Sequence, residues 1–120
     1  MAFFVETAYS FDSDLSISAM LPVLNKLGLW LFVERDNDRW GFYIVSNAGR
    51  PEVAAVHIIQ PWRRYSVNIR YESTDPRAPE DWAKMFGELY DRILPAIGAR
   101  DIQVTEYDER APPNYHEYPP

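Results

Sequence analysis

Apolar and polar positions alternate from the first residues of the chain. Phe3, Val5, Thr7 and Tyr9 share one side at period two, and Phe4, Glu6 and Ala8 share the other. That alternation predicts a first strand over residues 1–11. Asp12, Ser13 and Asp14 follow, with side chains suited to the free N–H groups at a helix start. Leu15, Ala19, Leu24 and Leu27 then recur near one helical face, and Gly28 is placed to end the helix. Pro22 lies inside this pattern. It predicts either a kink or a start near Ser18, which would put the proline in the first turn.

From Leu29 to Glu72 the periodicity changes. Leu29–Arg35 and Trp40–Ser46 are rich in β-branched and aromatic residues, and the polar stretch Asp36-Asn37-Asp38-Arg39 between them reads as a hairpin turn. Asn47-Ala48-Gly49-Arg50-Pro51 is a second turn. Val53–Gln60 is the next strand, broken by Pro61-Trp62. Arg64–Glu72 alternates cleanly, with Tyr65, Val67, Ile69 and Tyr71 on one side and Ser66, Asn68, Arg70 and Glu72 on the other. One covered and one wet face is the pattern of an antiparallel sheet.

Residues 73–78 read as a loop. Pro79, Glu80 and Asp81 open a second helix, with proline at the first position and acids in the first turn. Trp82, Met85, Phe86, Leu89, Ile93 and Leu94 form its apolar stripe. Glu88 and Arg92 are spaced for an i,i+4 pair, and Pro95 and Gly98 mark the end. Arg100–Tyr107 reads as a last strand with Ile102 and Val104 inward. The order β-α-β-β-β-β-α-β predicts an α+β fold, a meandering antiparallel sheet with two helices packed on one face. Residues 1–107 form the single expected domain, and residues 108–120 a proline-rich tail.

Composition narrows the chemistry. The 120 residues carry 18 acidic and 12 basic side chains, a net charge of −6, with 47% hydrophobic residues, 15% aromatics and no cysteine. Disulfides, thiolate metal sites and a thiol nucleophile are therefore excluded. The balance disfavours nucleic acid and anionic membrane as partners, since both are negative. The N-terminal residues lack the basic and apolar regions of a secretory signal, and no apolar run is long enough to span a bilayer. These features lead to the expectation of a cytoplasmic protein.

Catalytic patterns are sparse. There is no G-x-S-x-G elbow, phosphate loop or G-x-G-x-x-G. His57 sits mid-strand in Val56-His57-Ile58-Ile59 and reads as a structural or surface histidine, with a general base as the other reading. Asp36-Asn37-Asp38 with Gly41 departs from a calcium loop because Trp40 takes a ligand position and Asn47 replaces the bidentate glutamate. Glu34 and Glu72 are the carboxylates a glycosidase reading would pair. No cofactor, metal or catalytic residue is assigned. Ala111-Pro112-Pro113-Asn114-Tyr115 matches P-P-x-Y, a ligand pattern for WW-type grooves, and makes an adaptor role one alternative.

Aromatic residues beside carboxylates suit a protein-binding surface, where rigid rings anchor and polar groups surround them. The candidate partner-binding residues are Asp36, Asp38, Trp40, Tyr43, Trp62, Tyr71, Glu72 and Asp75. Clustered acids would steer a basic partner toward them. In size, acidity, element order and the segment Leu27-Gly28-Leu29-Trp30 through Asp36-Asn37-Asp38-Arg39-Trp40-Gly41, the chain resembles small acidic immunity proteins of bacterial toxin–antitoxin and contact-dependent competition systems. The resemblance implies a non-catalytic protein that binds a cognate toxin and occludes its active site. The other alternative is a small-ligand domain or carboxylate enzyme with a pocket between sheet and helices, using His57, Tyr65 or Glu72.

Overall fold

The computed structural model describes residues 2–111. Its strands are β1 (Phe3–Asp12), β2 (Val33–Asn37), β3 (Gly41–Ser46), β4 (Ala54–Ile59), β5 (Tyr65–Ser73) and β6 (Arg100–Arg110). They form one antiparallel sheet in the order β2-β3-β4-β5-β1-β6. Helix α1 (Ile17–Leu27) follows β1. Helix α2 (Ala78–Glu88) follows β5 and runs through a π-helical turn (Leu89–Ile93) into the short α3 (Leu94–Ala96). The expected α+β order is the observed one.

The core follows from the alternation. Val5, Tyr9, Phe11, Ile44, Val56, Ile58, Val67 and Ile69 all turn to one side of the sheet and are buried there with Met20 and Leu24 of α1, Met85 of α2 and Leu89 of the π-helical turn. Each such side chain contributes about 1.5–3 kcal/mol by leaving water. Both helices therefore lie over one face. Thr7 is a polar member of this covered side. It is buried, and its hydroxyl donates to the Glu106 carbonyl at 2.7 Å, which offsets its desolvation.

Several boundaries and faces differ from expectation. Ser16, not Asp12, Ser13 or Asp14, caps α1: its hydroxyl accepts from Ala19 N–H at 3.1 Å. The buried face of α1 is Ile17, Met20 and Leu24, while Leu15 and Leu27 are only half-buried. Pro22 sits in the helix interior, beyond the first turn. Gly28 ends the helix as expected, at φ 71°. Strand β2 starts at Val33 rather than Leu29, because the Asn25 side chain engages Phe32 first. Its Oδ1 accepts from Phe32 N–H at 2.8 Å, and its Nδ2 donates to Phe32 C=O at 3.0 Å. The chain before β2 is thus held by a helix side chain instead of a strand.

Glu88 does not turn toward Arg92. It accepts from Trp30 Nε1–H at 3.3 Å and lies 3.9 Å from Arg50. The π-helical turn that begins at Leu89 also breaks the four-residue spacing that such a pair needs. Strand β6 continues to Arg110, three residues past the expected domain boundary. Along it Ile102 is half-buried, but Val104 is exposed instead of inward. The P-P-x-Y segment at 112–115 lies outside the described residues.

Candidate binding surface

Among the described residues no element covers the other side of the sheet, and the register fixes what this bare face shows. One row across the strands reads Val33, Val45, His57, Asn68, Ala8 and Glu106. The next reads Ala55, Arg70, Glu6 and Asp108, and a third Glu72, Phe4 and Arg110. These side chains are the even-numbered partners of the buried stripe in β1 and β5, so period-two alternation alone sends them outward.

Aromatic rings line one end of this face. The β2–β3 turn is built on Asn37, whose Oδ1 accepts from Arg39 N–H at 2.9 Å and Trp40 N–H at 2.7 Å. Gly41 then takes φ 66° and pairs with Asn37. That local geometry sets Trp40 edge-on to Tyr43, with ring centroids 5.5 Å apart. Tyr43 in turn stacks on His57 at 6.0 Å and 23°. The Arg39 guanidinium lies 5.7 Å from the Trp40 ring. A run of cation, indole, phenol and imidazole therefore leads from the turn toward the middle of the sheet.

Two open grooves meet at His57. One, of about 450 Å³, is bounded by Leu31, Arg35, Tyr43 and Val45. The other, of about 330 Å³, is bounded by Glu6, Asn68, Arg70 and Glu106. Partial burial holds the His57 pKa below its ordinary 6.5, so the imidazole is neutral at pH 7. Farther along the face, Phe4 lies between two guanidinium groups, Arg110 at 4.8 Å and Arg70 at 5.6 Å. Arg70 also pairs with Glu72 at 3.4 Å, and Arg110 with Asp108 at 2.7 Å. The Arg110 partner pulls the Asp108 pKa down.

The residues singled out from sequence do not form one patch. Asp38 and Trp40 share the β2–β3 turn, and Tyr43 joins Trp40 on the bare face. Asp36 is paired with Phe42 on the helix-covered side of β2, where it is exposed. Trp62 is 81% exposed in the β4–β5 loop, at the same end of the sheet as that turn. Glu72 and Asp75 sit at the opposite end, where Asp75 accepts from Arg77 N–H at 2.8 Å. Tyr71 is buried in the core and is not a surface anchor. Its phenol is committed to Asp81, at 2.9 Å.

That contact belongs to a cluster that local sequence signals miss. Arg50 makes two parallel bonds to Asp81, Nε to Oδ2 and Nη2 to Oδ1, both 2.7 Å, and its Nη1 donates to Ala48 C=O at 2.7 Å. Hydrogen bonding to Arg50 holds the Asp81 carboxyl below its usual range, while burial and Asp81 push the Tyr71 phenol up. The loop carrying Arg50 is strained, with Ala48 at φ 55° and Glu52 at φ 66°. The cluster braces this loop against α2. The partners are 10 and 31 positions apart in sequence, so no periodic pattern announces them.

The enzyme-type groupings are dispersed. Tyr65 faces the covered side and donates to Leu15 C=O, whereas His57 and Glu72 face the bare side. Glu34 and Glu72 lie on opposite sides of the sheet with two strands between theirs. Among the described residues no three His, Asp or Glu side chains gather to hold a metal, and no helix is long and apolar enough to cross a membrane. No protein-family model matches the chain, and no curated protein is detectably similar to it.

Proposed function

We propose that this is a non-catalytic cytoplasmic binding protein of the immunity type, which captures a basic partner protein, a toxin, on the bare face of its sheet and occludes it. The observation that carries this reading is the ring series Trp40–Tyr43–His57 set across an uncovered sheet face. Rigid aromatic side chains give large contact area at low entropic cost, and they dominate protein interfaces where polar groups surround them. Glu6, Glu106 and the net charge of −6 supply attraction for cations.

The strained, braced loop at residues 47–53 is assigned to stability in this reading, because the Arg50 and Asp81 charges satisfy one another. Co-expression with the product of the adjacent gene tests the proposal. Rescue of growth and co-purification of a complex are expected. Toxicity that persists, with no complex formed, refutes the toxin-binding role.

A further inference from the structure

Strand β6 closes one edge of the sheet and, among the described residues, pairs only with β1. It runs for 11 residues, against 5 in β2 at the other edge. A long edge strand offers unpaired backbone N–H and C=O groups to another strand, and proteins ordinarily keep such edges short or covered. The side chains here add to the invitation. Val104 and Tyr107 pair with Tyr9 and Thr7 on the helix-covered side of the sheet, yet they are 59% and 54% exposed. The rings of Tyr9, Phe86 and Tyr90, 5.8 and 5.7 Å apart, carry the same apolar patch up onto the helical segment. The apolar stripe of the sheet thus extends past its helical cover.

We propose that β6 is a homodimer interface, in which two copies pair their β6 strands antiparallel about a two-fold axis at Val104. The register against β1 supplies the argument. It slips between Ala8 and Tyr9 and again between Ser10 and Asp12. Thr105 is the extra residue at the first slip. Asp101, at φ 55°, marks the second. With these two set aside, an axis at Val104 places Val104 on its own copy and Ile102 on Tyr107 of the second chain. It also places Arg100 on Asp108 of the second chain, twice by symmetry. Apolar groups meet apolar groups and opposite charges meet. An axis at Glu106 would instead oppose two glutamates and set Arg100 on Arg110. An axis at Gln103 shortens the shared ladder and leaves Tyr107 unmatched.

The present partners of Arg100 and Asp108 are exposed, Asp14 at 3.0 Å and Arg110 at 2.7 Å, and such pairs are readily exchanged. The bare face stays open in such a dimer, so the inference is independent of toxin binding.

Sedimentation velocity from micromolar to millimolar protein tests the interface. The expected species has twice the 14.0 kDa chain mass. Val104→Arg sets two cations face to face and gives a monomer, with an unchanged circular dichroism spectrum because Val104 is exposed. Arg100→Asp weakens the dimer roughly tenfold, from two attractive pairs made repulsive. Arg100→Asp combined with Asp108→Arg restores it. A wild-type monomer across the whole range, or a dimer indifferent to Val104→Arg, overturns the proposal. Failure of the double charge swap overturns the register.

Discussion

Asp81 and His57 show how single side chains tie this fold to its surroundings. Asp81 accepts from both Arg50 and Tyr71, and both donors are largely buried, with 16% of the Arg50 side chain exposed and Tyr71 in the core. Asp81→Ala leaves that guanidinium and phenol without their acceptor. The expected loss is about 2–3 kcal/mol, read as a lower midpoint in urea unfolding. Because the Asp81 pKa is depressed on folding, its contribution is present above the unfolded value of 3.8 and is lost as pH falls through the folded value. His57 acts in a separate window. Its folded pKa is also depressed, so the unfolded chain binds the proton first and stability declines as pH drops below 6.5. Thermal melts across that window should flatten in His57→Gln relative to the wild type, while the decline at lower pH from Asp81 remains. An unchanged slope in the variant would show that His57 is not the group responsible.

Among the elements, α1 gives the sharpest test of how local chemistry sets a boundary. Pro22 is exposed in the helix interior and removes one intrahelical hydrogen bond. Pro22→Ala should therefore stabilise the protein by about 1–3 kcal/mol, visible as a higher melting temperature. A lower melting temperature would mean that the proline fixes the helix direction. The strands β1 and β5 were legible from alternation because one face is covered and the other wet. Strand β2 was legible only as a strand, not in its start, because the Asn25 bonds to Phe32 are long-range chemistry. The burial of Tyr71 was encoded in its alternation with Val67 and Ile69, and that period outweighs the neighbouring charges that suggested a surface ring. Val104 obeyed its alternation but not its burial, since the helices stop short of the edge strand. Of the candidate surface, Trp40 and Tyr43 were visible as aromatics beside a turn. Their alignment with His57 depends on the pairing of β3 with β4, which no local pattern specifies.

At the scale of the whole molecule, one sheet face makes the core and the other is uncovered among the described residues. A chain of net charge −6 that exposes such a face should attract a basic protein quickly, with an association rate that falls as salt is added. Stopped-flow association at increasing ionic strength checks this, and a salt-independent rate would remove the steering role of the acids. The proposed partner seats on the Trp40–Tyr43–His57 end of the bare face. Calorimetric titration of the adjacent gene's product into wild type, Trp40→Ala/Tyr43→Ala and Val104→Arg is the most direct measurement of it. Loss of affinity of at least about thirtyfold in the double aromatic variant, with Val104→Arg binding like wild type, is the predicted result. Equal affinity for the aromatic variant and the wild type would exclude the aromatic end of the sheet as the binding site.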